Sequence, residues 1–198
     1  VIFVALALVT IFTGSNNTPD SNWSGQRVIA FYVQHHHAQS FDDVIGSIAF
    51  MFLVYWAATL RSYLRRSAAA EGASTLMLVG AALFAVGFVI SFGFDFALAD
   101  VPSKLAPAAA QALNVASNDL WFLVPIGGGI FSIASGIAIL RGGLLPKWLG
   151  WVTVVIGLAA GSPALFFALF ALLLWVLVVS FLVYRRSGSA VEPVVATA

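Results

Sequence analysis

Cysteine is absent from all 198 residues, so disulfides, thiolate metal sites and cysteine nucleophiles are excluded. Charge is nearly as scarce. Only 9% of residues are Asp, Glu, Lys or Arg, against roughly 25% in a soluble domain. With a net charge of +1 and no basic stripe, nucleic acid is not a partner. Catalytic signatures are missing too. There is no His-Glu-x-x-His, no Gly-x-Ser-x-Gly and no phosphate-binding glycine loop. The residues name no cofactor.

What remains is 61% hydrophobic, with a mean hydropathy of +1.01. Lipid is the solvent such a chain expects. Backbone groups must pair internally there, and no alternating strand pattern appears, so the fold class is all-α, a polytopic transmembrane helical bundle. Six spans are expected, near 1–12, 44–64, 73–98, 115–140, 148–161 and 164–184. The first begins inside an apolar run. Val1 to Phe12 covers only about 18 Å of helix against a hydrocarbon core of roughly 30 Å. The expectation is an uncleaved first helix that starts before Val1, with a cleaved signal peptide as the rival. Residues 187–198 read as a disordered cytoplasmic tail.

The few cations are unevenly placed. Seven of the nine form three clusters: Arg61/Arg65/Arg66, Arg141/Lys147 and Arg185/Arg186. Short loops rich in Lys and Arg stay inside the cell. This orients the chain in the cell membrane with both termini cytoplasmic. It also requires two crossings between the second and third clusters, which makes the short 148–161 segment a span. All three histidines and six of the eight acids fall in the remaining, outer gaps.

The first outer gap starts polar, from Gly14 to Asp20. From Ser24, a candidate N-cap, Val28, Phe31 and Tyr32 share one side of a helical pattern. This predicts a short amphipathic helix on the outer membrane surface. Asp20, Asp42, Asp43 and Asp100 read as solvated loop acids. In the second outer gap, Pro107 suits the first turn of a helix that runs on into the fourth span.

Three groups of residues could carry function. Asp95 lies near the outer end of the third span, and an acid at membrane depth needs a partner or water. Asn114, Asn118 and Asp119 lie at the outer end of the fourth, followed by Trp121 and Pro125. Pro125 removes the bond to the Trp121 carbonyl and predicts a kink with polar lining. These six residues form the candidate ligand site. His35, His36 and His37, with Asp42 and Asp43, are a candidate metal group, although consecutive helical residues diverge by about 100° and cannot all face one ion. Free histidine also suits a pH sensor. Finally, small residues recur at four-residue spacing: Gly87/Ser91, Gly128/Ser132/Gly136 and Thr153/Gly157/Gly161. Such stripes allow close helix packing, within one bundle or between copies.

The turn Leu140-Arg141-Gly142-Gly143-Leu144-Leu145-Pro146-Lys147-Trp148-Leu149-Gly150-Trp151, with Val28-Ile29-Ala30-Phe31-Tyr32 ahead of His35, resembles an uncharacterised family of bacterial multi-pass membrane proteins, a domain of unknown function. The resemblance implies the order of segments and no catalytic residue. The triple histidine is unlike that family's pattern.

Three functional classes follow. One binds or moves a lipid-like or small apolar molecule through an outward cavity. One is a structural or accessory subunit of a larger membrane complex. One is a metal-dependent membrane enzyme using the His/Asp group. The partners implied are membrane lipids, and a second copy of the chain or a larger membrane complex.

Overall fold

A computed structural model describes residues 1–13, 18–162 and 164–188, with the side chains of 187 and 188 left aside. The described residues contain seven α-helices and no strand. These are α1 (Ile2–Thr13), α2 (Gly25–Leu64), α3 (Glu71–Asp100), α4 (Pro107–Leu120), α5 (Leu123–Gly142), α6 (Lys147–Ala160) and α7 (Leu165–Gly188). Four segments are long and apolar enough to cross a membrane: α2, residues 68–100, residues 107–142 and residues 165–186. Helices α1 and α6 are apolar but shorter, at 12 and 14 residues. Most of the expected tail, and residues 14–17 of the first outer gap, lie outside the described residues.

The sequence pattern places a surface helix ahead of a separate second span. Instead, both belong to α2, a single helix of 40 residues, about 60 Å long. No proline or glycine interrupts it between Gly25 and Gly46. Asp42 and Asp43, read as loop acids, lie mid-helix and are 6% and 2% exposed. Ser24 holds the N-cap position without a side-chain cap bond.

The fourth span is also different. It is two helices that part at Trp121–Phe122. Pro125 occupies the first turn of α5, where no i to i−4 donor is needed. The break therefore precedes the proline by one turn. The Trp121 carbonyl is not free, since the Val124 amide donates to it at 3.1 Å.

Helix α3 is the spine, packed most extensively on α5 and α2. Its approach to α5 is backbone-close. A Cβ added to Gly80 would lie 2.4 Å from the Phe131 nitrogen, and one on Gly127 would lie 2.3 Å from that of Phe84. Helices α5 and α6 meet through Gly136, Gly150 and Gly157, where added Cβ atoms would strike the Gly150 carbonyl and Val154, the Leu140 side chain, and Ile133 respectively. The expected stripes thus serve this one bundle. Ser132 and Thr153 are buried, Gly87 abuts Leu123 and Val124, and Gly128 sits under the Phe84 ring. Two members depart from the pattern: Gly161 caps α6, where an added Cβ would meet only the Leu158 carbonyl at 3.7 Å, and Ser91 faces a cavity.

Two apolar cores result. The larger joins α1, α2, α3, α5, α6 and α7, with Phe50, Phe84, Phe131 and Trp175 among its members. The smaller joins the first turns of α2, the end of α3 and α4, through Val28, Phe31, Tyr32, Leu98, Ala99 and Ala110. The residues expected to lie on lipid are therefore buried in protein.

The three basic clusters gather at one end. Arg186 and the Tyr63 hydroxyl both donate to the Leu144 carbonyl, and the Arg66 guanidinium lies 5.1 Å from the Tyr63 ring centroid. Gly142 packs against Ala70 in the adjoining turn. Gly143, at φ 65°, adopts the left-handed conformation that ends α5.

Candidate functional site

Between the two cores lies a polar layer, and within it a cavity of about 260 Å³. Helix α3 contributes Phe88, Ser91, Phe92 and Asp95, which recur at three and four residues and so share one face. Helix α4 contributes Asn114, Ser117 and Asn118, and Trp121 follows at the break. Gln39 of α2 closes one side, and Thr18 and Pro19 lie over the space.

Asp95 organises this layer. Its Oδ1 accepts from the Tyr32 hydroxyl at 3.1 Å and from the Ser117 hydroxyl at 2.9 Å. The carboxylate thus ties α2, α3 and α4 together at one point. Asn114 and Asn118 face the chain above. The Asn114 amide donates to the Asp20 carbonyl at 2.9 Å, and the Asn118 amide to the Pro19 carbonyl at 3.2 Å. Asn118 also donates to the Asn114 carbonyl at 2.9 Å.

Two more acids stand behind the wall. Asp43 Oδ1 accepts from the Gln39 amide at 3.1 Å, and Asp42 Oδ1 accepts from the Thr13 hydroxyl at 2.6 Å. The second oxygen of each is buried without a hydrogen-bond partner. The Ser91 hydroxyl oxygen is likewise buried and unpartnered.

Four of the six expected ligand residues, Asp95, Asn114, Asn118 and Trp121, therefore share one cavity. Asp119 does not. It is exposed, because on a helix it lies about 100° around from Asn118. Pro125 lies below the cavity, outside its lining. Tyr32, Gln39 and Ser117 were absent from the expected set. The spacing of Ser117 from Asn114 and Trp121, three and four residues, could have found it. Tyr32 and Gln39 come from a distant segment, and only the continuity of α2 brings them here.

The candidate metal group does not assemble. No three His, Asp or Glu side chains converge on a shared ion position among the described residues. His35 stacks on Phe31 with ring centroids 4.5 Å apart, and its Nδ1 lies 2.9 Å from the Phe31 carbonyl oxygen. His36 pairs with the His37 ring at 3.9 Å. Asp42 and Asp43 lie further along α2 with the partners described above.

No family model, curated protein or solved structure matches the chain. The site is therefore read from its own chemistry.

Proposed function

We propose that this chain is a multi-pass protein of the cell membrane that binds or moves a lipid-like or small apolar molecule through the cavity at Asp95. The carrying observation is the cavity itself, which lies between two separately packed cores and is lined by rings as well as polar groups. In this reading the basic end faces the cytoplasm and the cavity faces outward. The gathering of all three basic clusters at the Leu144 turn supports that orientation. Six crossings, with α1 and α6 as short ones and both termini cytoplasmic, complete the proposed topology. Membership of the uncharacterised family rests on the 140–151 turn.

The accessory-subunit reading drew on the small-residue stripes, which are largely spent within the α3–α5–α6 packing. The metal-enzyme reading lacks a convergent ligand set among the described residues.

The test is a cavity-filling substitution. Ser91→Phe places a ring where an unpartnered hydroxyl now faces the space. Native mass spectrometry of gently extracted protein should show a small bound molecule on the parent and its loss from the Ser91→Phe chain. Equal retention by both would count against the cavity as the binding place.

A further inference from the structure

The cavity wall is aromatic and acidic together, with no basic residue among its described lining. Phe88 lies 5.1 Å from Trp121 between ring centroids, at 65°, and 5.7 Å from Phe92. Three rings thus border one small space. The negative face of an aromatic ring attracts cations, most strongly for tryptophan. Asp95 follows Phe92 by one helical turn on the same face of α3.

Among the described residues no Lys or Arg forms an ion pair with the acids here. Among the described residues the one Lys/Arg–carboxylate ion pair recorded is Arg65–Glu71, at the opposite end of the bundle. Arg27, on α2, lies over the Trp23 ring at 3.7 Å. Asp43, 2% exposed, keeps an unpartnered carboxylate oxygen, and its partner Gln39 itself lines the cavity. A buried carboxylate without a counter-charge either takes up a proton or is matched by a cation, and a neutral guest supplies no match. A strongly hydrated metal ion would need convergent protein ligands, and no such group is present among the described residues. An alkylated ammonium needs none. It sheds its weak hydration readily, lays methyl groups on rings and sets its charge beside a carboxylate.

We propose that the cavity takes a small organic ammonium ion, quaternary or fully alkylated, with Phe88, Phe92 and Trp121 around its methyl groups and Asp95 as its counter-charge. This rests on the cavity reading above and adds a charge to its guest, methyl groups meeting the rings and a cationic centre meeting the carboxylate. A single trimethylammonium headgroup, free or carried by a lipid, presents the required chemistry.

The experiment uses the full chain in detergent, titrated calorimetrically with tetramethylammonium, choline and the neutral choline isostere 3,3-dimethylbutan-1-ol. Both cations should bind saturably, and choline about tenfold or more tighter than the alcohol, as a desolvated cation–ring contact implies. Asp95→Asn should weaken choline by about tenfold or more and leave the alcohol unchanged. Trp121→Leu, which keeps the Asp95 hydrogen bonds, should weaken both cations several-fold and serves if Asp95→Asn fails to fold. Choline and alcohol binding alike, each lost in Ser91→Phe, would overturn the cationic guest and leave an apolar cavity standing. No binding by any probe, with the native bound molecule indifferent to Ser91→Phe, would overturn both readings. Vesicles containing phosphatidylcholine, compared with phosphatidylglycerol, separate a lipid headgroup from a free ammonium solute.

Discussion

Tyr32→Phe deletes a single oxygen and isolates one of the two hydroxyl donors to Asp95. Ser117 stays, so the carboxylate keeps one partner. A lost hydrogen bond of this kind costs about 1–3 kcal/mol, the larger figure applying to an ionised acceptor. The chain should remain folded with a lower unfolding midpoint in a denaturant titration. No change in midpoint would mean that water replaces the hydroxyl freely. The asparagines are a separate matter, since they hold backbone carbonyls 19 and 20. Replacing both Asn114 and Asn118 by alanine should accelerate amide exchange around residues 20–24 while leaving α3 protected. Uniform exchange in both proteins would show that these bonds do not hold the segment. Much of this layer was legible at residue scale. Asp95, Asn114, Asn118 and Trp121 stand out as polar or amphipathic groups in apolar surroundings. Asp119 misleads because it neighbours Asn118 in sequence yet points elsewhere around the helix.

Close approach dominates among the helices. Gly127 leaves no room for a side chain against the Phe84 backbone, whereas Gly93 has nothing within 4 Å. Gly127→Val should therefore destabilise by more than about 2 kcal/mol, as overpacking does. Gly93→Ala should be neutral or stabilising by up to about 1 kcal/mol, from helix propensity alone. Paired unfolding measurements would decide it, and equal effects would contradict the α3–α5 contact. Small-residue spacing revealed Gly128, Gly136 and Gly157. It missed Gly80, Gly127 and Gly150, because the tightest contact depends on which partner lies opposite. The boundaries of α2 and α5 were illegible for a related reason. Buried polar residues such as Asp42 and Asp43 resemble a loop in sequence, and Pro125 marks a helix start as readily as a kink.

For the whole molecule, the proposed orientation makes a clean prediction, since the chain has no native cysteine. Single cysteines can be placed at Ser67, beside the basic end, and at Asp100, beyond Asp95. A membrane-impermeant maleimide added to intact cells should label Asp100→Cys at once and Ser67→Cys only after permeabilisation. Labelling of both from outside, or the reverse order, would reject the orientation. The charge partition that suggests this arrangement is a property of the whole sequence. It does not depend on individual helix ends, so the expectation of sidedness tolerates errors in the helix boundaries.

One mechanical consequence comes from α2. It runs from Val28 in the smaller core to Leu60 in the larger, about 48 Å, as one rod. Its one interior glycine, Gly46, is covered by the Phe92 ring. With the rod braced there, tilting the outer lobe about Gly46 swings the far end in the opposite sense, as a lever turns on a fulcrum. The Asp95 tie to Tyr32 acts about 21 Å from Gly46 on the outer arm, and Tyr63 lies about 26 Å from it on the inner one. A guest a fraction of an ångström too large for the cavity would then be felt at the Leu144 turn, without any chain of side-chain relays between.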